Sequence, residues 1–588
     1  MLKRFFITVL GTMTGFWLSI VVMFFALLLS LGVALGKSSS ESTVKIEKKS
    51  VLSLDLSGVI EDRYQPTSFI QLIQESENSG SATLEEMLVA IDNAADDERI
   101  EGLYINCGGA AMGMAAREEL IEAIGRFKEK GKWVYAYADS YGQGDYLVAS
   151  TADTVVLNPI GAVDIHGIAS ITPFFKELLD KLGVKMQIVK VGTYKSAVEP
   201  YILTEMSEPA RHQLQQYVDS LWSYYTETVG SNRGIATDSI TAMASTFIGM
   251  REAPTFMADG LVDTLLYSRS IDARLKTLAG LKEDDDARFV GVSEYAASYM
   301  GKESLTKKHI AVLYAVGEIS DSGKEGIVGQ TMVDEIVDLA DNDKVRGLVF
   351  RVNSPGGSAF ASEQIWEAIE YFKSKNKPVY VSMGDYAASG GYYISCAADS
   401  IFADRTTLTG SIGVFGMIPD LSGLVTDKLG VNFSTVESNP NAGGITGFEP
   451  MTAAQHAALQ TSVDNIYELF TRRVAEGRGM EQDSVKAIAE GRVWVAGDAL
   501  RLGLIDAIGS LHTTVGAMAD YLGMSTDDVR SYPDSKQEFW EKFLLENTNI
   551  DQMKAAGYDA GTIHLLDRVQ RLRTAAPVQA RMIEVEVK

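Results

Sequence analysis

The chain has 588 residues, 46% of them hydrophobic, and a formal net charge of −25 at pH 7. That length exceeds what one core serves, so two or more domains are expected, and the acidity argues against nucleic acid as a partner. The two cysteines, Cys107 and Cys396, do not make a disulfide framework or a metal site, and the six histidines fall in no metal-binding spacing.

Residues Phe5 to Gly36 carry no formal charge, and Leu18 to Leu35 is their most apolar part. At about 1.5 Å per residue such a run can span a hydrocarbon core of about 30 Å. It is longer than a signal-peptide core and no Ala-x-Ala site follows it, so residues 1–36 read as an uncleaved membrane anchor. Lys3 and Arg4 favour a cytoplasmic N-terminus. The body is then expected on the extracytoplasmic, periplasmic side of the cytoplasmic membrane. Residues 37–49 form a polar linker.

Past the linker the sequence repeats itself at an offset of about 245 residues. An opening strand at Val51–Ile60 matches one at Ile310–Ile319, and the helical spacing of Leu84–Ile91 matches that of Met332–Leu339. The apolar strands Ile100–Ile105 and Val345–Val352 each run into an Asn and a glycine pair, Asn106-Cys-Gly-Gly109 and Asn353-Ser-Pro-Gly-Gly357. Helices at 117–130 and 362–375 follow, then strands at Trp133–Tyr137 and Val379–Met383. The register continues through Asp139/Asp385, Gly144/Gly390, Tyr146/Tyr392 and Asp153/Asp399, and Lys181-Leu-Gly-Val184 recurs as Lys428-Leu-Gly-Val431. Arg233-Gly234 pairs with Arg478-Gly479, and Gly260-Leu-Val-Asp263 with Gly503-Leu-Ile-Asp506. The fold class expected is α/β, one unit written twice, with largely parallel sheets covered by helices. The first domain is expected at 50–285, a connector at 286–308, the second domain at 309–530 and a C-terminal extension at 531–588.

The copies differ where chemistry could sit. In the second, Asp385-Tyr-Ala-Ala-Ser-Gly-Gly-Tyr-Tyr393 sets Ser389 at a strand-to-helix turn, where the glycines let backbone N–H groups approach a substrate. In the first, Gln143 stands in that place and cannot accept an acyl group. The first copy has Lys195 in Lys190-Val-Gly-Thr-Tyr-Lys-Ser-Ala-Val-Glu-Pro200, where the second has Ala442. Each copy holds half of a possible Ser/Lys pair. A serine hydroxyl needs a base, and a lysine can be that base if burial keeps it neutral.

Four segments together carry a family resemblance: Gly192-Thr-Tyr-Lys-Ser-Ala-Val-Glu-Pro200, Asn353-Ser-Pro-Gly-Gly-Ser358, Ala387-Ala-Ser-Gly-Gly-Tyr392 and Leu408-Thr-Gly-Ser-Ile-Gly-Val414. The chain resembles the long, duplicated form of the signal peptide peptidase A family of membrane-anchored Ser/Lys peptidases. The resemblance implies Ser389 as nucleophile, Lys195 as general base, Ser411 as a hydroxyl positioning the lysine, and an oxyanion hole from the N–H groups of Gly390 and Gly357. It also implies a fold like the caseinolytic protease and crotonase core, no metal or organic cofactor, signal-peptide remnants as substrates, and a tetrameric bowl at the membrane. Tyr392 and Asp385 recur in the copy without the serine and read as structural. Two other readings stay open at this point: a crotonase-like acyl-CoA enzyme, and a non-catalytic membrane scaffold derived from a protease.

Overall fold

The computed structural model describes residues 46–63, 81–282, 284–300, 307–323, 325–533 and 578–582. The expected anchor at 1–36, and the linker up to residue 45, lie outside the described residues. Among the described residues no helix is long and apolar enough to cross a membrane. All elements below belong to the unit that begins at Lys48.

The first copy supplies β1 (Ser50–Leu56), β2 (Ile100–Cys107), β3 (Trp133–Ala138), β4 (Thr154–Leu157), β5 (Lys185–Val191), β6 (Thr264–Leu265) and β7 (Phe289–Gly291). All but β5 form a parallel sheet in the order β6-β4-β3-β2-β1-β7. Part of the expected connector is therefore a strand of this first sheet.

The rest of the chain supplies β8 (His309–Val316), β9 (Ile319–Ser320), β10 (Ile327–Val328), β11 (Val345–Ser354), β12 (Gly356–Ser358), β13 (Val379–Ala388), β14 (Ser400–Ala403), β15 (Leu408–Gly410), β16 (Val414–Asp420), β17 (Val493–Val495), β18 (Ala507–Ile508), β19 (Val529–Tyr532) and β20 (Val578–Arg581). The second sheet contains the parallel run β18-β14-β13-β11-β8-β19, which repeats the order of the first strand for strand. β15 and β17 extend it beside β13. β8 and β11 are buried over nearly their whole length, as expected of strands covered on both faces by helices.

The helices follow from their apolar spacing. Leu84–Asp96 starts at a capping box, in which Thr83 Oγ1 accepts from the Glu86 amide and Glu86 accepts from the Thr83 amide. It buries Leu84, Met87, Ala90, Ile91 and Ala94 on one face. Its counterpart Gly329–Asp341 buries Met332, Ile336, Leu339 and Ala340 in the second core.

A third sheet joins the copies, in the order β10-β9-β12-β20-β16-β5. β5 comes from the first copy and pairs antiparallel with β16 over seven residues, from Val191↔Val414 to Lys185↔Asp420. A buried polar cluster also ties the copies. Arg351 Nη1 donates to Glu119 Oε1 at 2.6 Å and its Nε to Asp62 Oδ2 at 3.1 Å. Asp385 Oδ1 accepts from the Ala115 amide at 2.8 Å, in the first turn of the first-copy helix Met114–Glu129. Removing one partner of such a buried ion pair typically costs about 3–5 kcal/mol, because the other charge is left uncompensated.

Candidate active site

β13 ends at Ala388, and the chain turns at Ser389 into the helix Gly390–Ser395. Ser389 has φ 56° and ψ −113°, a conformation that L-residues avoid and that costs about 1–3 kcal/mol. The turn is held on both sides: the Ser389 amide donates to Gly410 O at 2.7 Å, and its carbonyl accepts from the Tyr393 amide at 2.8 Å. In the first copy Gln143, in the place of Ser389, is already the first residue of the helix Gln143–Ala149. There Gln143 Oε1 accepts from the amides of His166 and Gly167.

Lys195 reaches Ser389 through the β5–β16 pairing. Val191 ends β5 opposite Val414, three residues past Ser411. The chain then turns at Gly192 (φ 108°), and the Tyr194 amide donates to Glu490 O at 2.9 Å. The lysine stem passes over two glycines: a β-carbon on Gly491 would lie 2.6 Å from Lys195 Cβ, and one on Gly413 would lie 3.3 Å from its Cδ. Lys195 Nζ ends 2.7 Å from Ser389 Oγ, 3.1 Å from Ser411 Oγ and 3.1 Å from Ser411 O. Lys195, Ser389 and Ser411 are all buried. Burial pushes the Lys195 ammonium well below the ordinary lysine range. Ser411 Oγ is itself fixed by donating to Gly491 O at 3.2 Å.

The structure thus brings together Ser389, Lys195 and Ser411 within one chain. The two glycine stretches lie side by side: a β-carbon on Gly390 would sit 3.1 Å from Gly356 Cα. Gly357 pairs in its sheet with Ile319 and Ala580. Ala442, which the register sets opposite Lys195, lies in an exposed loop.

Sequence reasoning missed Gln213, which is buried. Its Nε2 donates to Tyr194 O and Ser196 Oγ, and its Oε1 accepts from the Val493 amide at 3.1 Å, so it clamps both sides of the lysine loop to β17. No local signal marks it, because one glutamine on a long helix (Glu208–Arg233) looks like any other.

The repeated residues are scaffold. Tyr146 donates to Leu261 O and Tyr392 to Leu504 O, at 2.6 and 2.8 Å. Asp153 and Asp399 each accept from an amide within the first two residues of a central strand, Val134 or Val379, at 2.8 Å. Arg233–Asp263 and Arg478–Asp506 form matching ion pairs.

The family model for peptidase family S49 matches the chain twice, at residues 126–282 and 371–525. This chain belongs to peptidase family S49. Its layout, with the domain present twice, is that of the long signal peptide peptidase A form, and it is a serine protease. A model for Clp protease matches residues 303–411, in keeping with a Clp-protease-like α/β fold. The chain is 35% identical to "Protease 4" of Haemophilus influenzae over 97% of its own length and 94% of that protein. It is 33% identical to "Protease 4" of Salmonella typhi, covering 87% and 85%. It is 29% identical to "Putative signal peptide peptidase SppA" of Enterococcus faecium over 46% of this chain and 79% of that one.

Proposed function

We propose that this S49 peptidase cleaves peptides with a Ser389/Lys195 dyad, and that its substrates are cleaved signal peptides and similar apolar peptides at the cytoplasmic membrane. One observation carries the reading: the 2.7 Å contact between Lys195 Nζ and Ser389 Oγ, with both groups buried. A neutral amine has one lone pair and two N–H bonds. The lone pair accepts the Ser389 proton, and the N–H bonds meet the two oxygens of Ser411, each at 3.1 Å. Every valence of the base is then used, and its lone pair is aimed at the nucleophile.

Ser389 Oγ attacks the peptide carbonyl as Lys195 Nζ takes its proton. The amides of Gly390 and Gly357 receive the developing oxyanion. Lys195 then returns the proton to the departing amine. A water deprotonated by the same amine releases the acyl group from Ser389. Ser411 positions the lysine and does not touch substrate.

The apolar run at Leu18–Leu35 supports an anchor that keeps the body near the membrane, on its extracytoplasmic side. Signal-peptide chemistry fits that place, because cleaved signal peptides are apolar and remain in the bilayer. A tetramer is proposed by family likeness alone. The test is labelling with a fluorophosphonate serine probe alongside hydrolysis of an apolar peptide. The wild-type protein should do both, Ser389→Ala neither, and Lys195→Ala should lose hydrolysis at every pH. Equal labelling of Ser389→Ala would overturn the nucleophile, and full hydrolysis by Lys195→Ala would overturn the base.

A further inference from the structure

Three carboxyl groups converge on one guanidinium where the copies meet. Arg351 Nη1 lies 2.6 Å from Glu119 Oε1 and 4.0 Å from Asp404 Oδ2, and its Nε lies 3.1 Å from Asp62 Oδ2. Asp62 and Glu119 come from the first copy, Arg351 and Asp404 from the second. Arg351, Glu119 and Asp404 are 1, 2 and 1% exposed. Asp404 also lies within hydrogen-bonding reach of Glu119. Among the described residues, no donor meets either oxygen of Asp404 or Glu119 Oε2. Two ionised carboxylates offer acceptors alone, so a buried contact between them sets like charges side by side with nothing to bridge them. One proton removes the repulsion and makes the bridge. Glu119, against Arg351, keeps its charge, and a neutral Asp404 donates its O–H to Glu119 Oε2. Burial, with the charges of Glu119 and Glu118 beside it, pushes the Asp404 carboxyl well above the ordinary carboxylate range. The groups that face the pair are Glu118, Arg351 and Tyr224, and beyond Arg351 stand Asp62, Asp385 and Tyr314.

The pair sits at the root of the active-site strand. Asp404 follows β14, and the chain runs from it through Arg405, Thr406 and Thr407 into β15. Glu118, beside Glu119 on the helix Met114–Glu129, accepts from the Arg405 and Thr406 amides at 3.0 and 3.1 Å and from Thr406 Oγ1 at 3.0 Å. β15 ends at Gly410, whose carbonyl holds the Ser389 amide at 2.7 Å. The next residue, Ser411, meets Lys195 Nζ through both its oxygens. One helix of the first copy thus grips, at residues 404–406, the segment of the second copy that fixes both Ser389 and Lys195. Burial pushes the Glu118 carboxyl up to about 7. Its ionisation strengthens the bonds it accepts from Arg405 and Thr406, so Glu118 opposes release of the segment as pH rises.

We propose that Asp404 is a positioning residue whose proton, donated to Glu119, fastens the two copies at the active site, and that loss of this proton as pH rises frees residues 404–411 and switches the peptidase off. The sign follows from linkage. The fastened state binds the proton, whereas a released Asp404, at about 3.9 in water, does not, so rising pH favours release. Activity is then bounded on both sides, by the neutral amine of Lys195 at the acid limb and by the Asp404 proton at the alkaline limb. The test measures kcat/KM for a fluorogenic apolar peptide across pH in wild type, Asp404→Asn and Glu119→Gln. One pH unit beyond the midpoint of the alkaline limb, wild type should keep about a tenth of its plateau. Asp404→Asn, whose amide donates to Glu119 and cannot ionise, should keep nearly all of its own plateau there. Glu119→Gln removes the neighbouring charge and should move the limb to lower pH, so it carries the test if the asparagine variant fails to fold. A merely structural contact would leave the limb where it is in both. The infrared difference between wild type and Asp404→Asn should show the band of a protonated carboxyl, lost over the same pH range as activity. A wild-type profile without an alkaline limb would overturn the proposal, as would a limb unmoved in the folded variants or the absence of that band. The kinetic arm rests on Ser389 and Lys195 being the dyad, and the infrared arm does not. Probe labelling that persists in Ser389→Ala, with the band present, would retain the proton and reject the nucleophile. Loss of labelling with no such band would do the reverse.

Discussion

Removing the Ser411 hydroxyl should slow the reaction without weakening substrate binding. Lys195 Nζ has three hydrogen-bond contacts, and Ser411→Ala deletes the one to Oγ at 3.1 Å. It also strips Gly491 O of its donor. One N–H of a buried neutral amine is then unpaired, at a cost of about 1–3 kcal/mol. The cost falls on the base rather than on the substrate, so kcat should drop about 5- to 150-fold with KM little changed. The sign of the pH effect follows from the same contact. A hydroxyl acceptor stabilises the ammonium more than the amine, so its loss pushes the already depressed Lys195 pKa further down. The acid limb of kcat/KM should move to lower pH even as the plateau falls. A purely structural serine would leave that limb in place. Backbone strain does not confound the comparison, because Ser411 sits at φ 52° and alanine carries the same Cβ there. The assay is hydrolysis of a fluorogenic apolar peptide across pH for both proteins. Activity within twofold of wild type, with an unshifted limb, would refute the positioning role.

Gly491→Ala should disable the base by displacement, since its β-carbon would lie 2.6 Å from Lys195 Cβ and its φ is 75°. A displacement of about 1 Å in a catalytic group can cost about 100-fold, so kcat/KM should fall by about that factor while circular dichroism is unchanged; wild-type turnover would show that the lysine is not held there. Asp385→Asn should alter how stability depends on pH. Burial, with the neighbouring Asp62 charge, pushes the Asp385 carboxyl up to about 6. The folded state therefore holds this proton more tightly than the unfolded chain, whose value is about 3.9. The contribution is fully present below about pH 3.9 and is lost as pH rises through about 6, amounting to about 3 kcal/mol. Urea midpoints at pH 4 and pH 6.5 should differ less for the asparagine variant than for wild type, and equal differences would count against a buried, protonated Asp385.

Much of this was legible in the sequence because duplication supplies its own control. The repeated letters mark the shared strand order, and the mismatches at Gln143/Ser389 and Lys195/Ala442 mark the two halves of the site. What joins those halves was not legible. β5 and β16 pair across more than two hundred residues, and a pairing between distant segments has no local signature. Gln213 and the glycines under Lys195 act only once that pairing has formed. Val578–Arg581 was equally hidden, since four residues of mixed polarity predict no strand until two open edges receive them.

The divergence of the copies extends below the side chains. Tyr146 and Tyr392, Asp153 and Asp399, and the two Arg–Asp pairs each hold the same backbone contacts, so both copies keep the same frame around the turn. Yet Ser389 stands at φ 56° just before its helix, while Gln143 in the matching place is the first residue of a regular helix. A strained serine persists only where its surroundings over-determine it. The second copy supplies that through Gly410 O, which holds the Ser389 amide, and through β15, which sets Gly410 beside Ala388. The first copy has spent its freedom differently, turning Gln143 inward against Gly167 and extending Lys195 across into its neighbour. One buried cluster assembled from two halves follows from this: the copy that bends the backbone at Ser389 and the copy that extends Lys195 are under different geometric demands, and a single unit would have to meet both.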